Sequence, residues 1–205
     1  SHVHISEPGL EPVRRRPEHA ELAAMLHAVG YRGFVSIEMR RAPLDDPAVR
    51  RALSLGIDRD TVTEAYLSGH ALAAQFPVSP ASSLYPGELD AAYSYPAFQA
   101  AMTAAGLNTG EKTRSLTLLV NEEHAFKASA ARYLADALSV FDVKITVKTL
   151  PWAEYTAALA AGNFDLYYGE VRLTADWDLA PLLSSGGTLN YGGWSDPALE
   201  EALGA

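Results

Sequence analysis

The sequence predicts an α/β fold, and three observations predict it. Apolar strand-like runs at residues 115–121, 143–149 and 164–169 are separated by helical patterns at 126–141 and 151–161. Strands that alternate with helices in this way build parallel sheets through right-handed crossovers. The front of the chain repeats the pattern on a smaller scale. Residues 2–6 (HVHIS) alternate as a strand, residues 18–29 carry Leu22, Met25, Leu26 and Val29 on one helical face, and residues 33–39 (GFVSIEM) form a second strand. Apolar residues make up 48% of the 205, enough for a real core.

The remaining elements follow from local chemistry. Asp45-Asp46-Pro47 is a helix start, with an Asp cap and Pro at the first helical position, and the helix runs to about Gly56 with Val49, Ala52, Leu53 and Leu55 to bury. Asp58 caps a second helix through Leu67. Residues 68–90 are rich in Pro, Gly, Ser and Ala, and make an irregular surface segment. Residues 95–105 form a short helix ended by Gly106. In the helix at 126–141 the expected buried stripe is Tyr133, Leu134, Ala137 and Leu138. Residues 143–149 (VKITVKT) alternate with period two, so one face meets water or polar groups. Pro151 starts the next helix, residues 178–183 make a short one, and Ser195-Asp196-Pro197 starts the last.

Charge and composition exclude several functions. The net charge of −9 opposes nucleic acid and anionic membrane surfaces alike. With no cysteine there is no disulfide, thiol nucleophile or Cys-held zinc. No run approaches the roughly 20 apolar residues of a membrane span. The chain begins Ser1-His2, with neither Met nor signal peptide, and reads as a processed product or an expressed fragment.

No catalytic pattern emerges. No Gly-rich phosphate loop leads into a helix, and no Ser sits in a nucleophile elbow. Asp46, Asp58 and Asp196 read as helix caps. The loop leaving the strand at 164–169 is different, because it gathers Arg172, Asp176, Trp177 and Asp178. Ligands of α/β proteins sit at strand C-terminal ends. A carboxylate there holds a ligand ammonium, and an indole offers a flat apolar wall. Against this stand a helix cap for Asp178, a turn for Asp176 and a core position for Trp177.

The run Ala42-Pro-Leu-Asp-Asp-Pro-Ala-Val-Arg-Arg-Ala-Leu-Ser-Leu-Gly-Ile-Asp-Arg59 closely resembles the family 5 extracellular solute-binding proteins, the oligopeptide, dipeptide and nickel receptors of ABC importers. The resemblance continues through VKITVKTLPWAEYTAALAAGNFD at 143–165, Thr174-Ala-Asp-Trp177 and Asn190-Tyr-Gly-Gly-Trp-Ser-Asp-Pro197. It implies a mixed-sheet lobe of the periplasmic-binding-protein type II fold over residues 41–205. It also implies Asp176 as the clamp for a peptide amine. The candidate ligand-binding set is Asp176, Trp177, Arg172 and Asn190. The family's first lobe and its return crossing are expected to be missing, which leaves the cleft incomplete and binding weak.

Residues 1–40 resemble instead the last β-α-β unit of xylose-isomerase-like TIM-barrel sugar isomerases and epimerases. That resemblance implies His4 and Glu38 as metal ligands at strand ends, in an incomplete site, because a catalytic metal takes about three protein ligands. The chain therefore reads as a junction of two families near Met39-Arg40. The leading expectation is a peptide receptor lobe without enzymatic activity or cofactor. Its partners are a peptide or other small cationic or zwitterionic ligand, the first lobe and an ABC permease, and its parent receptor is extracytoplasmic. The alternatives are a fragment of a metal-dependent sugar phosphate isomerase or epimerase, and a recombined or engineered chimera without selected activity.

Overall fold

The structure, a computed structural model, describes residues 2–5 and 34–37 as backbone, and residues 44, 46–123, 125–172, 174, 176–193 and 195–204. The chain divides into two compact units, Ser1–Arg50 and Arg51–Ala205.

In the first unit, β1 (His2–Ile5) and β2 (Phe34–Ile37) pair in parallel, with His2 opposite Phe34 and Ile5 opposite Ile37. This is the pairing that a β-α-β unit requires. The helix expected at 18–29, Glu38 and the His4 side chain lie outside the described residues. Helix α1 (Pro47–Leu55) begins as its sequence dictates, with Asp46 Oδ1 accepting the Ala48 N–H at 2.8 Å. Val49, Ala52 and Leu53 are buried along one stripe of it.

The second unit takes in the rest of α1 from Arg51 and continues with α2 (Arg59–Thr61), where Asp58 accepts the Thr61 N–H at 3.1 Å and the Thr61 hydroxyl at 2.7 Å. The helix widens into a π-helical turn, Val62–Tyr66, and ends at Ser68 and Gly69, both with positive φ. The irregular segment that follows is tied by its own side chains. Tyr85 donates to Asp90 at 2.6 Å and accepts from the Gln75 N–H at 3.0 Å, while Gln75 Oε1 accepts from the Ala91 N–H at 2.9 Å. Helix α3 (Tyr95–Ala104) then buries Phe98 and Met102 and stops before Gly106, whose φ of +67° suits glycine.

The core is a three-stranded sheet of order β4-β3-β5, made of β3 (Arg114–Asn121), β4 (Val143–Leu150) and β5 (Leu166–Tyr167). Every strand pairing among the described residues is parallel, so the antiparallel member that a mixed sheet needs is not among them. The crossover β3 to β4 runs one way through α4 (Ala125–Leu138), and β4 to β5 runs back through α5 (Trp152–Ala160). Right-handed crossovers in opposite directions place the two helices on opposite faces. Central β3 is therefore buried on both sides through Leu116, Leu118, Leu119 and Val120, whereas edge strand β4 alternates as its sequence predicts. Leu119 packs with Leu150, Tyr155 and Leu159 beneath α5. Burying a side chain of that size contributes about 1.5–3 kcal/mol.

Three expectations need correction. The stripe that α4 buries is Ala128, Ala131, Ala135 and Leu138, with Ala130 and Lys127 beside it. Tyr133, Leu134 and Ala137 are only half-buried, because small residues bring the helix close to the sheet and leave the larger ones at its flank. Tyr133 meets Tyr66 there in a tilted ring pair, with centroids 5.1 Å apart. The strand expected at 164–169 pairs only over Leu166–Tyr167, since the Asp165 carboxylate takes the Thr117 N–H at 2.8 Å in place of a ladder carbonyl. Pro151 sits just before α5 with extended ψ rather than as its first residue.

Two short helices finish the unit. Asp178 Oδ1 accepts the Ala180 N–H at 2.9 Å at the start of α6 (Ala180–Leu183). Asp196 accepts from Ala198 and Leu199 at the start of α7 (Pro197–Leu203). Among the described residues no helix is long and apolar enough to cross a membrane.

Candidate ligand-binding site

The C-terminal ends of β3 and β5 open into a cavity of about 560 Å³. Asn121, the last residue of β3, and Tyr167, the last of β5, reach it from the sheet. The chain leaving β5 adds Tyr168, Gly169, Glu170 and Val171. Helix α5 contributes Trp152, Tyr155, Thr156 and Leu159, α4 contributes Lys127, and Leu182, Leu189 and Tyr191 complete the wall. The place follows from topology. The crossover from β3 runs toward β4 and away from β5, which parts the chain between β3 and β5 at that end of the sheet, where α/β proteins take their ligands.

Among the described residues Lys127 is the one cation of the wall. It lies in the first turn of α4, only 8% exposed, where both burial and the positive helix end disfavour an ammonium. Its Nζ stands 2.8 Å from Glu170 Oε2, and the Glu170 side chain is open to solvent. That carboxylate offsets the buried charge, and the Phe126 ring, 5.9 Å away, adds a cation–π contact.

Tyrosines dominate the rest. Tyr155 is buried and donates to the Tyr168 carbonyl at 2.9 Å, which fixes the strand exit against α5. Burial, and then the neighbouring Tyr167, Tyr191 and Glu170, push its phenol up to about 12. Burial also raises Tyr167 and Tyr168, so all three present neutral hydroxyls at neutral pH. Tyr167 meets Tyr191 edge to face at 6.0 Å, and Trp152 stacks on Tyr155 at 5.8 Å. Gly169 gives these rings room, because a Cβ there would stand 2.6 Å from the Tyr167 ring.

The residues singled out in the sequence lie beside this cavity in the chain rather than in its wall. Asp176 is exposed, and its carboxyl is held below the usual carboxylate range first by the Thr174 hydroxyl and then by backbone N–H groups. Trp177 is half-buried at φ +58°, and its backbone N–H donates to the Thr174 carbonyl at 3.1 Å. Arg172 is exposed next to lining residue Val171. Asn190, next to lining residue Tyr191, donates to the Ser184 carbonyl at 2.9 Å. Asp178, expected as a helix cap, instead lies one residue before the cap position Leu179 and accepts the Ala180 N–H in the turn leading into α6. The metal candidates His4 and Glu38 fall outside the described side chains, and among the described residues no three His, Cys, Asp or Glu side chains gather to hold a metal. Lys127, Glu170 and the tyrosines went unmarked in the sequence, although Tyr167-Tyr-Gly-Glu170 ends a strand and leads out of it, and carried the signal.

The family model for bacterial extracellular solute-binding proteins, family 5 Middle, matches residues 6–190. The chain belongs to this family. Its matched span crosses the junction expected near Met39-Arg40, and the barrel resemblance of residues 1–40 gains no support from it. The chain is 28% identical over 179 residues to the probable di/tripeptide-binding protein 5 of Pseudomonas aeruginosa (strain UCBPP-PA14), a match covering 83% of this chain and 33% of that protein. The chain thus spans about a third of the length of that relative. Among solved structures it superposes on the oligopeptide-binding protein AppA from Bacillus subtilis, in complex with a nonapeptide, with a TM-score of 0.71 at 20% identity, covering 80% of this chain and 36% of AppA. It also superposes on DppA from Helicobacter pylori, in complex with the peptide STSA, with a TM-score of 0.69 at 18% identity, covering 80% and 33%. At these identities the structural likeness speaks for the fold, which is α/β as the sequence predicts.

Proposed function

We propose that the chain is a peptide-binding part of an extracytoplasmic receptor that serves an ABC importer, and that it binds without catalysing a reaction. The tyrosine-walled cavity at the C-terminal end of the sheet carries this reading, because it sits where an α/β lobe of a solute-binding family takes its ligand. The relative named for di- and tripeptides, and the neighbours holding a nonapeptide and STSA, favour peptides as the ligand class. A receptor of the relatives' length would supply an opposing wall and the surface that meets the permease. The metal-dependent isomerase alternative is not favoured, since the match spanning residues 6–190 is to binding proteins.

Asp176 is the proposed partner of the peptide ammonium. It is exposed, it lies six residues beyond lining residue Glu170, and Thr174 keeps it ionised, which suits a charge-assisted hydrogen bond. Thermal shift with unmodified tripeptides at millimolar concentration tests the reading. Stabilisation is expected, and it is expected to fall for N-acetylated peptides and in Asp176→Asn. No stabilisation by any peptide would overturn the peptide reading. Equal stabilisation by free and acetylated peptides would overturn the role of Asp176 alone.

A further inference from the structure

We infer that the cavity selects a ligand side chain with an aromatic body and a neutral hydroxyl head, a tyrosine side chain, and that Lys127 and Glu170 together read the hydroxyl. The inference rests on the proposed peptide-binding reading, and deepens it by naming a side-chain class.

The walls decide the body. Trp152, Tyr155, Tyr167 and Tyr191 present ring faces and edges, which pair with another ring beyond what area alone gives. A volume of about 560 Å³ admits an aromatic side chain with its flanking backbone.

The ion pair decides the head. An ammonium carries three donors. Among the described residues Lys127 directs one of them to Glu170 at 2.8 Å, which leaves two for a ligand while the side chain is almost wholly buried. Glu170 is open on its far side and can accept a further hydrogen bond. An entering carboxylate would meet Lys127 but would also meet the anion 2.8 Å from it. An entering ammonium or guanidinium meets the reverse conflict. A phenol disturbs neither charge, because its oxygen accepts from Lys127 while its hydrogen is donated to Glu170. A phenylalanine ring would cover the ammonium and leave its two donors without acceptors.

The test uses the 205-residue chain and probes whose α-amine is acetylated, so it does not depend on an α-ammonium held by Asp176. N-acetyl-tyrosinamide, N-acetyl-phenylalaninamide, N-acetyl-glutamate amide and N-acetyl-lysinamide are titrated by NMR. The tyrosine probe is expected to bind about tenfold more tightly than the phenylalanine probe, the scale of one hydrogen bond to a charged group. It should also bind more tightly than either charged probe. Lys127→Met is expected to bring the tyrosine and phenylalanine probes to parity, with Lys127→Gln as a second variant should the first fold poorly. Equal or tighter binding of the phenylalanine probe or a charged probe would overturn the inference. So would an unchanged tyrosine preference in both Lys127 variants. Absence of binding by every probe, with free tripeptides still bound, would overturn the inference and leave the peptide reading standing.

Discussion

The two ends of the three-stranded sheet use the same kinds of side chain for opposite purposes. At the N-terminal end, Asp142 and Asp165 turn inward and are consumed by the backbone. Asp142 accepts from the N–H groups of Thr109 and Gly110 and from the Thr109 hydroxyl, and Asp165 accepts from the Thr117 N–H. At the C-terminal end, Glu170 bonds a single buried ammonium and keeps half of itself in water, and tyrosine hydroxyls edge an open cavity. A carboxylate saturated by backbone donors completes the fold, and one with spare lone pairs beside a cavity remains available to a ligand. Position in a parallel sheet thus separates acids consumed by the backbone from an acid left open beside a cavity, where residue type alone does not.

The comparison predicts where damage appears as lost stability and where as lost binding. The largest stability loss belongs to the core between the ends. Leu119→Ala is expected to lower unfolding free energy by about 2–5 kcal/mol in urea denaturation, the usual result of a cavity at a buried Leu. Asp165→Ala comes next, at about 1–3 kcal/mol, because it strands the Thr117 N–H inside the sheet. The Thr109 N–H, the largest influence, holds the Asp142 carboxyl below its ordinary value of 3.8. A depressed folded-state pKa means that this contribution is complete above 3.8 and drains as pH falls below it. Acid melts of Asp142→Asn should therefore lose that part of the pH dependence, and an unchanged acid limb would count against the backbone-saturation argument.

Changes at the other end should spare the fold and strike binding. Gly169→Ala puts a methyl 2.6 Å from the Tyr167 ring, so that ring must shift into the cavity. Peptide affinity should drop several-fold by calorimetry, roughly a kilocalorie of lost fit, while circular dichroism stays native. The smallest effect on stability is expected for Asp176→Asn, which removes an exposed carboxylate and should leave the melting temperature unmoved. A clear drop in its melting temperature would place Asp176 among the structural acids after all.

How much of this was legible in the sequence depends on how local the cause is. Asp46, Asp58 and Asp196 were readable as caps because an Asp before a helix acts within three residues. The α/β alternation was readable for the same reason. The alanine stripe of α4 was not, because which face a helix buries depends on how closely it approaches the strands behind it. Lys127 shows the limit most clearly. A lysine in a first helical turn reads as a solvated residue, and only the fold brings Glu170, 43 positions later, to its Nζ. The sequence pointed to the loop after β5 as the candidate site, and the cavity borders the start of that loop. Tyr168, Gly169, Glu170 and Val171 begin that loop and line the cavity, a few residues earlier than Arg172, Asp176 and Trp177.

The central claim is that ligand meets the C-terminal end of the sheet and not the N-terminal end. An NMR titration of isotopically labelled protein with an unmodified tripeptide tests it most directly. The account predicts shifts at Asn121, Lys127, Tyr155, Tyr167 and Tyr191, with Thr109, Gly110, Thr117 and Asp142 unmoved. Shifts concentrated on the second group, or no shift anywhere at millimolar peptide, would contradict it.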